Sequence, residues 1–260
     1  MTVVAIVGDC TTTTCVALAA VWPVDDEVLV LEADPSGGSL AGWLDTPNSP
    51  SLATIVANVR AGDSRHDEAM STVWAMTQRS HSGISFVSAP LRSLPARRAI
   101  EEASIAVVPA LAAGDTVVLA DLGRRDPTDL PASILEAATT TLVVHRQHAA
   151  SAAAEAVRLD RLVELVEVLA VSAHDIVLAI VGSDPFDPAE IAQHVDTSVP
   201  GALADAATLA DDPLTAAVIA GRAGVSASRL RRLPLMRSAA GIASRLALGS
   251  ASALVTPGAS

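Results

Sequence analysis

The chain has 260 residues, half of them hydrophobic, and its 17 basic residues, all arginine, face 29 acids for a formal charge of −12 at pH 7. That acidity argues against a nucleic-acid-coating protein, and an aromatic content of 2% without tyrosine argues against base-stacking modules. The absence of lysine excludes Schiff-base chemistry, a lysine general base and the lysine of an ordinary phosphate-binding loop.

Length leaves room for one large α/β domain or two small ones, with ample material for a core. Residues 3–7 are an unbroken, mostly β-branched apolar run, as expected of a strand buried on both faces. No basic stretch precedes it, so the N-terminus reads as this strand and not as a secretion signal. Residues 13–21 read as a helix and 27–32 as a second strand ending at Asp34-Pro35-Ser36-Gly37-Gly38; residues 63–82 read as a polar surface loop or short helix. A strand at 84–87, a long alanine-rich helix at 96–113 and strands at 116–121 and 140–144 come next. They are followed by a helix at 149–169, a strand at 175–181, short helices at 188–194 and 213–221, and a last helix at 235–248 opened by Pro234. Strands alternating with helices imply right-handed crossovers, hence an α/β fold with a doubly wound, mostly parallel sheet and helices on both faces. No internal repeat or Pro-, Gly- or Ser-rich linker interrupts the pattern. Residues 1–250 therefore read as a single domain that includes an arginine-rich helical segment at 222–248, with a tail at 251–260.

Mean hydropathy is +0.43, raised by alanine, valine and leucine, a bias that a high-GC genome also favours. The longer apolar runs, such as 15–22 and 176–181, stop well short of the roughly 18 residues of a membrane span. Cys10 and Cys15 match neither a CxxC nor a zinc spacing, which points to packing residues in a reduced, cytoplasmic protein. Cys10, beside a helix start, is also placed for a lowered pKa. His145 and His148 follow a strand end and could face a cleft, but no third metal ligand has suitable spacing.

Charge is divided along the chain. Residues 1–220 hold eleven arginines and all 29 acids, a charge of −18, whereas 221–260 hold six arginines and no acid. Arg222, Arg229, Arg231, Arg232, Arg237 and Arg245 either solvate a helix and pair with the acidic body or form a patch for anionic membrane or nucleic acid. Each would contribute roughly 1 kcal/mol at an anionic surface. Leu235, Ile242 and Leu246 lie near one stripe of that helix.

Chemistry in a doubly wound sheet sits at the carboxyl ends of the strands. After the first strand the chain reads Gly8-Asp9-Cys10-Thr11-Thr12-Thr13-Thr14, which gathers backbone N–H groups at a helix N-terminus and suits an anion. The threonines can alternatively serve only to cap that helix.

These residues resemble an eroded form of the deviant Walker A motif, KGGxGKTT, of ParA/MinD-type ATPases. In that register Thr13 falls on the magnesium-binding threonine, Thr12 on the phosphate lysine, Thr11 and Asp9 on loop glycines, and Val7 on the signature lysine. Leu29-Val30-Leu31-Glu32-Ala33-Asp34-Pro35-Ser36-Gly37-Gly38 is similar to the family's LLIDLDPQGN, with Asp34 on the switch aspartate. Val117-Val118-Leu119-Ala120-Asp121-Leu122-Gly123 is similar to its Walker B strand, with Asp121 as the acid, while Gly182 occupies the adenine-side asparagine position. The resemblance implies ATP and magnesium as cofactors, with Thr13, Asp34 and Asp121 as metal-linked residues. Read without it, Asp34 and Asp121 are turn or capping residues at strand ends.

The departures imply weak or absent hydrolysis. Losing one preorganised donor to a developing oxyanion costs ~2.7–4 kcal/mol, and here two lysines are missing and an acid stands in the loop. Arg124 and Arg125 are candidate replacements, or else solvated turn residues. The lysine-poor loop with Leu-Glu-Ala-Asp-Pro-Ser-Gly-Gly resembles actinobacterial-type MinD-like proteins that accompany pilus or secretion ATPases, in the manner of TadZ. The resemblance thus implies a scaffold or positioning factor, cytoplasmic or peripheral to the membrane, and a homodimer. Its partner would be a secretion or pilus ATPase or a polar membrane complex. A working nucleotide switch, and a partition-type protein binding DNA or membrane through its arginines, are the competing expectations.

Overall fold

The computed structural model describes residues 2–23, 27–62, 66–124, 129–147, 151–171, 175–224 and 226–253. Arg125 and His148, and residues 63–65 of the polar stretch, lie outside them. The elements in chain order are β1 Thr2–Gly8, α1 Thr11–Val21, β2 Val28–Glu32, α2 Leu40–Trp43, α3 Leu52–Ala61, α4 His66–Met76, β3 Gln78–Arg79 and β4 Ser85–Val87. Next come α5 Ser93–Ala106, α6 Val108–Ala113, β5 Val117–Asp121, α7 Ala132–Ala137, β6 Thr140–Arg146, α8 Ala152–Ala170 and β7 Asp175–Val181. Finally α9 Pro188–Ser198, β8 Leu203–Leu209, α10 Pro213–Ile219, α11 Ala227–Leu230 and α12 Pro234–Ala253 complete the fold.

The eight strands form one sheet in the order β3-β4-β2-β5-β1-β6-β7-β8, parallel throughout except for β3 on β4. Every residue of β1 and β5 is buried, because β1 sits between β5 and β6 with helices on both faces. Side-chain alternation divides the core in two. Val3, Ala5 and Val7 join Leu178 and Ile180 beneath α3 to α9, whereas Val4 and Ile6 join Val177 and Ala179 beneath α1, α2, α10 and α12. Reversal of strand order on either side of β1 opens a crevice at the carboxyl ends of β1, β5 and β6, which positions the site.

Several expected boundaries move for identifiable reasons. The helix expected at 96–113 is two, α5 and α6, because Pro109 cannot donate to the carbonyl of Ile105 and crowds it. Val107 closes α5 by donating its N–H to the Ala103 carbonyl at 2.8 Å. Part of the polar stretch is α4, whose Ala69 and Val73 are buried against the core. The sequence pattern predicts no separate element for α2, α3, β3, α7, β8 or α11, of which α3 and β8 are the most substantial. Leu52, Ile55 and Val56 of α3 follow a helical spacing, but β8 (Leu-Ala-Asp-Ala-Ala-Thr-Leu) has little strand propensity and owes its conformation to pairing with β7. The last helix runs to Ala253, beyond its expected end at residue 248. Its Leu235, Ile242 and Leu246 are core residues packed with Cys15 and Leu18 of α1.

Candidate functional site

The turn after β1 is tight. Gly8 has φ +120°, and a Cβ there would stand 2.1 Å from the Val144 carbonyl oxygen, so only glycine fits. Its N–H donates to the Gly123 carbonyl at 3.1 Å, and that of Asp9 to Val144 at 2.8 Å, which ties the turn to β5 and β6. Cys10 follows in the left-handed region, φ 53°, and α1 begins at Thr11 instead of the expected residue 13. Thr11, Thr12, Thr13 and Thr14 are therefore the first helical turn. The N-cap is Cys10 and makes no side-chain cap bond; Thr14 instead donates its hydroxyl to the Cys10 carbonyl at 2.9 Å. The expected capping by threonine does not occur, because these residues lie inside the helix, where a hydroxyl reaches a carbonyl one turn back.

Thr12 and Gly123 both meet Asp121, and Asp34 lies against Gly123. The Thr12 hydroxyl donates to Asp121 Oδ2 at 2.6 Å, and the Gly123 N–H donates to Asp121 Oδ1 at 3.1 Å. Asp34 packs against Gly123, where an added Cβ would stand 2.2 Å from its carboxyl carbon, and its Oδ1 accepts the Ser36 N–H at 2.8 Å. Burial pushes the Asp121 carboxyl above its ordinary range, opposed by hydrogen bonds from Thr11, Thr12 and Gly123. Glu32, one strand over, is affected in the same direction. It accepts N–H groups from Ser39 (2.6 Å), Leu40 (2.8 Å) and Ala89 (2.8 Å), yet burial raises its pKa to about 7. Among the described residues no group of three or more His, Cys, Asp or Glu is arranged to hold a metal ion.

Asp9 turns away from α1. Its Oδ2 accepts the backbone N–H of Arg146 at 3.1 Å and the Arg158 guanidinium at 2.7 Å. Arg158 also donates to the Arg146 carbonyl at 2.8 Å and lies 3.4 Å from Glu155, which bonds His145 at 2.7 Å. His145 is thus fully buried under α8 and does not face the cleft, contrary to the expectation from its place near a strand end. Parity on β6 explains both neighbours: His145 points with Val143 toward α8, and Arg146 points with Val144 toward α1. Arg146 makes a two-pronged ion pair with Asp211, with contacts of 2.8 to 3.2 Å, in the connection between β8 and α10. The pair forms part of the wall of a cavity of about 220 Å³ that also touches Cys10, Thr13, Trp43, Leu209 and Pro213. Burial raises the Cys10 thiol pKa, the opposite of the expected lowering, because its solvation loss exceeds the help of Arg146. Gly182, at φ +86°, offers only its carbonyl, which accepts from Gln147 at 3.1 Å.

Arg146, Arg158, Asp211 and Glu32 were not picked out in the sequence. Arg146 was detectable from parity on its strand; Asp211 and Arg158 are brought in from far along the chain. Arg124 is exposed beside Gly123. In the C-terminal segment Arg229, Arg231, Arg232 and Arg237 are exposed, Arg222 contacts the Trp43 carbonyl at 3.5 Å, and Arg245 pairs with Asp205 at 3.0 Å. No described helix is long and apolar enough to cross a membrane.

A mostly parallel sheet with the strand order found here, a glycine turn leading from β1 straight into α1 and acids ending β2 and β5 define a P-loop NTPase fold of ParA/MinD type. Solved structures agree. A ParA family ATPase from Chlorobium tepidum superposes with a TM-score of 0.67 at 14% identity, covering 93% of this chain and 98% of its own. The septum site-determining protein MinD of Pyrococcus horikoshii, complexed with Mg-ADP, gives 0.66 at 15% identity over 94% and 95%. A chain of the MinC:MinD cell division protein complex of Aquifex aeolicus gives 0.60 at 15% over 95% and 96%. No protein-family model and no curated protein matches the sequence.

Proposed function

We propose that this chain is a ParA/MinD-fold protein that has lost ATP hydrolysis, or nearly so, and acts as a scaffold or positioning factor. Its setting would be a cytoplasmic or membrane-associated assembly such as a pilus or secretion system, with a secretion ATPase or polar membrane complex as partner and a homodimer as the working form. The observation that carries this reading is the Thr12–Asp121 hydrogen bond. In the resemblance Thr12 takes the place of the phosphate lysine, and here its hydroxyl is spent on the Walker B-like acid while Val7 leaves the second lysine position apolar and buried. At ~2.7–4 kcal/mol for each lost donor, two losses bring hydrolysis close to background. ATP turnover of the purified chain tests it: turnover comparable to active ATPases of this fold, abolished by Asp121→Ala, overturns the inactive reading.

A second reading, a nucleotide-dependent switch without turnover, draws support from the cavity beside the start of α1 and from the Mg-ADP bound to the Pyrococcus MinD. Thr13, Asp34 and Asp121 are oxygen donors of the kind magnesium shares with phosphates. Asp121 accepts one hydrogen bond at each oxygen, from Thr12 and Gly123, which leaves each a further lone pair for a metal or its water. Magnesium-dependent ATP binding lost in Thr13→Ala is the expected result, and its retention in that variant refutes the reading. A third reading assigns Arg229, Arg231, Arg232 and Arg237 to DNA or anionic membrane, with Arg245 less available because of Asp205. Because the apolar stripe of α12 is core, such binding would be electrostatic and fall steeply with salt. Arg-to-Ala replacement at 229, 231 and 232, measured against DNA and anionic vesicles, tests it without removing the helix.

A further inference from the structure

We propose that Arg146 supplies the positive charge missing from the turn after β1, and that Asp211 is its resting counter-ion, exchanged for the phosphate of a nucleotide seated between α1 and α10. The proposal rests on the nucleotide-binding reading above and names the residue by which that site would hold an anion.

Position comes first. In the β1–β6 register Gly8 faces Val144, so Arg146 lies two residues beyond the partner of the turn glycine. Its backbone N–H donates to Asp9, and its side chain points to the α1 side of the sheet, as parity requires. The guanidinium shares the cavity wall with Cys10 and reaches Asp211 through both Nε and Nη2. Cys10, Thr13, Arg146 and Asp211 all line the same cavity, with Leu209 and Pro213 supplying apolar wall. A cation, a helix start and an apolar recess therefore share one mouth. That combination suits a ligand with one anionic end and one weakly polar end.

Exchange is what the Arg146–Asp211 pair permits. The two side chains are 36% and 40% exposed, and ion pairs this open add little net stability. A phosphate carries more charge than one carboxylate and accepts a guanidinium in the same two-pronged manner, so it outcompetes Asp211. Asp211, once released, remains exposed to water and leaves no buried charge behind. Arg158 is a different case: its Nη2 is shared by Asp9 and the Arg146 carbonyl, and it lies against the fully buried Glu155. Releasing it would disturb a network that holds the turn itself, which makes Arg158 a support and Arg146 the exchangeable arm.

Calorimetric titration of the full-length protein with ATP, ADP and adenosine tests the assignment, with thermal melts establishing that each variant folds. ATP is expected to bind more tightly than adenosine to the wild type. Arg146→Ala should weaken ATP by about tenfold or more, to the level of adenosine, while Arg146→Lys retains part of the difference. Asp211→Asn should strengthen ATP several-fold and leave adenosine unchanged. Unaltered ATP affinity in Arg146→Ala, or weakened ATP binding in Asp211→Asn, overturns the proposal while the nucleotide reading stands. The proposal alone also fails if adenosine binds as tightly as ATP in both the wild type and Asp211→Asn. If neither ATP nor adenosine binds the wild type or Asp211→Asn, the nucleotide reading falls and the proposal with it.

Discussion

Glu32→Gln should flatten the pH dependence of stability between about pH 4.5 and 7. The Glu32 carboxyl is 1% exposed, and its pKa is raised from 4.5 to about 7. Between those values the folded protein holds a proton that the unfolded chain has released, so stability falls as pH rises. The contribution is complete below pH 4.5 and is lost as pH passes through 7. At 1.36 kcal/mol per pH unit the shift corresponds to about 3 kcal/mol. Three backbone N–H bonds to the carboxylate already moderate it; without them burial would cost more. Urea unfolding at pH 5 and pH 8 provides the assay. The wild type should lose most of those 3 kcal/mol relative to Glu32→Gln across that interval. Asp121 is also raised by burial and contributes with the same sign in both proteins, so the difference between them is the readout. Parallel pH profiles for the two proteins would refute the reasoning.

Other consequences are equally direct. Gly123→Ala places a methyl 2.2 Å from the Asp34 carboxyl at φ +71°, and should cost about 1–3 kcal/mol in chemical denaturation; a neutral result would mean that Asp34 does not pack against Gly123. Ile242→Ala should destabilise by about 2–5 kcal/mol, since α12 is part of the core, whereas a value near zero would make α12 a detachable appendage. Asp212→Ala removes a side chain that accepts the Thr215 N–H at 3.0 Å and should cost about 1 kcal/mol by thermal melting; an unchanged midpoint would show that the cap is idle.

The fold was legible because its signals are local. Buried parallel strands are written as runs rich in valine, leucine and isoleucine, and residues 3–7, 116–121 and 175–181 needed no partner to be recognised. Gly8 after β1, Asp34 just past β2 and Asp121 at the end of β5 were visible for the same reason. β8 was not, since an alanine-rich strand containing Asp205 is extended only because β7 offers it hydrogen bonds. Pro109 is the one local signal that divides α5 from α6, set within an alanine-rich pattern that otherwise reads as a single helix.

By itself the sequence determined what the site lacks: with no lysine anywhere, no tertiary arrangement can place one on a phosphate. Only the tertiary structure decided which charges stand there instead. Arg158 reaches Asp9 across 149 positions, and Asp211 meets Arg146 across 65. Such pairings follow from strand order and from the side of the sheet to which each residue points. His145 and Arg146 are neighbours in sequence, yet one is sealed beneath α8 and the other opens on the cavity, because successive residues of a strand face opposite sides of the sheet.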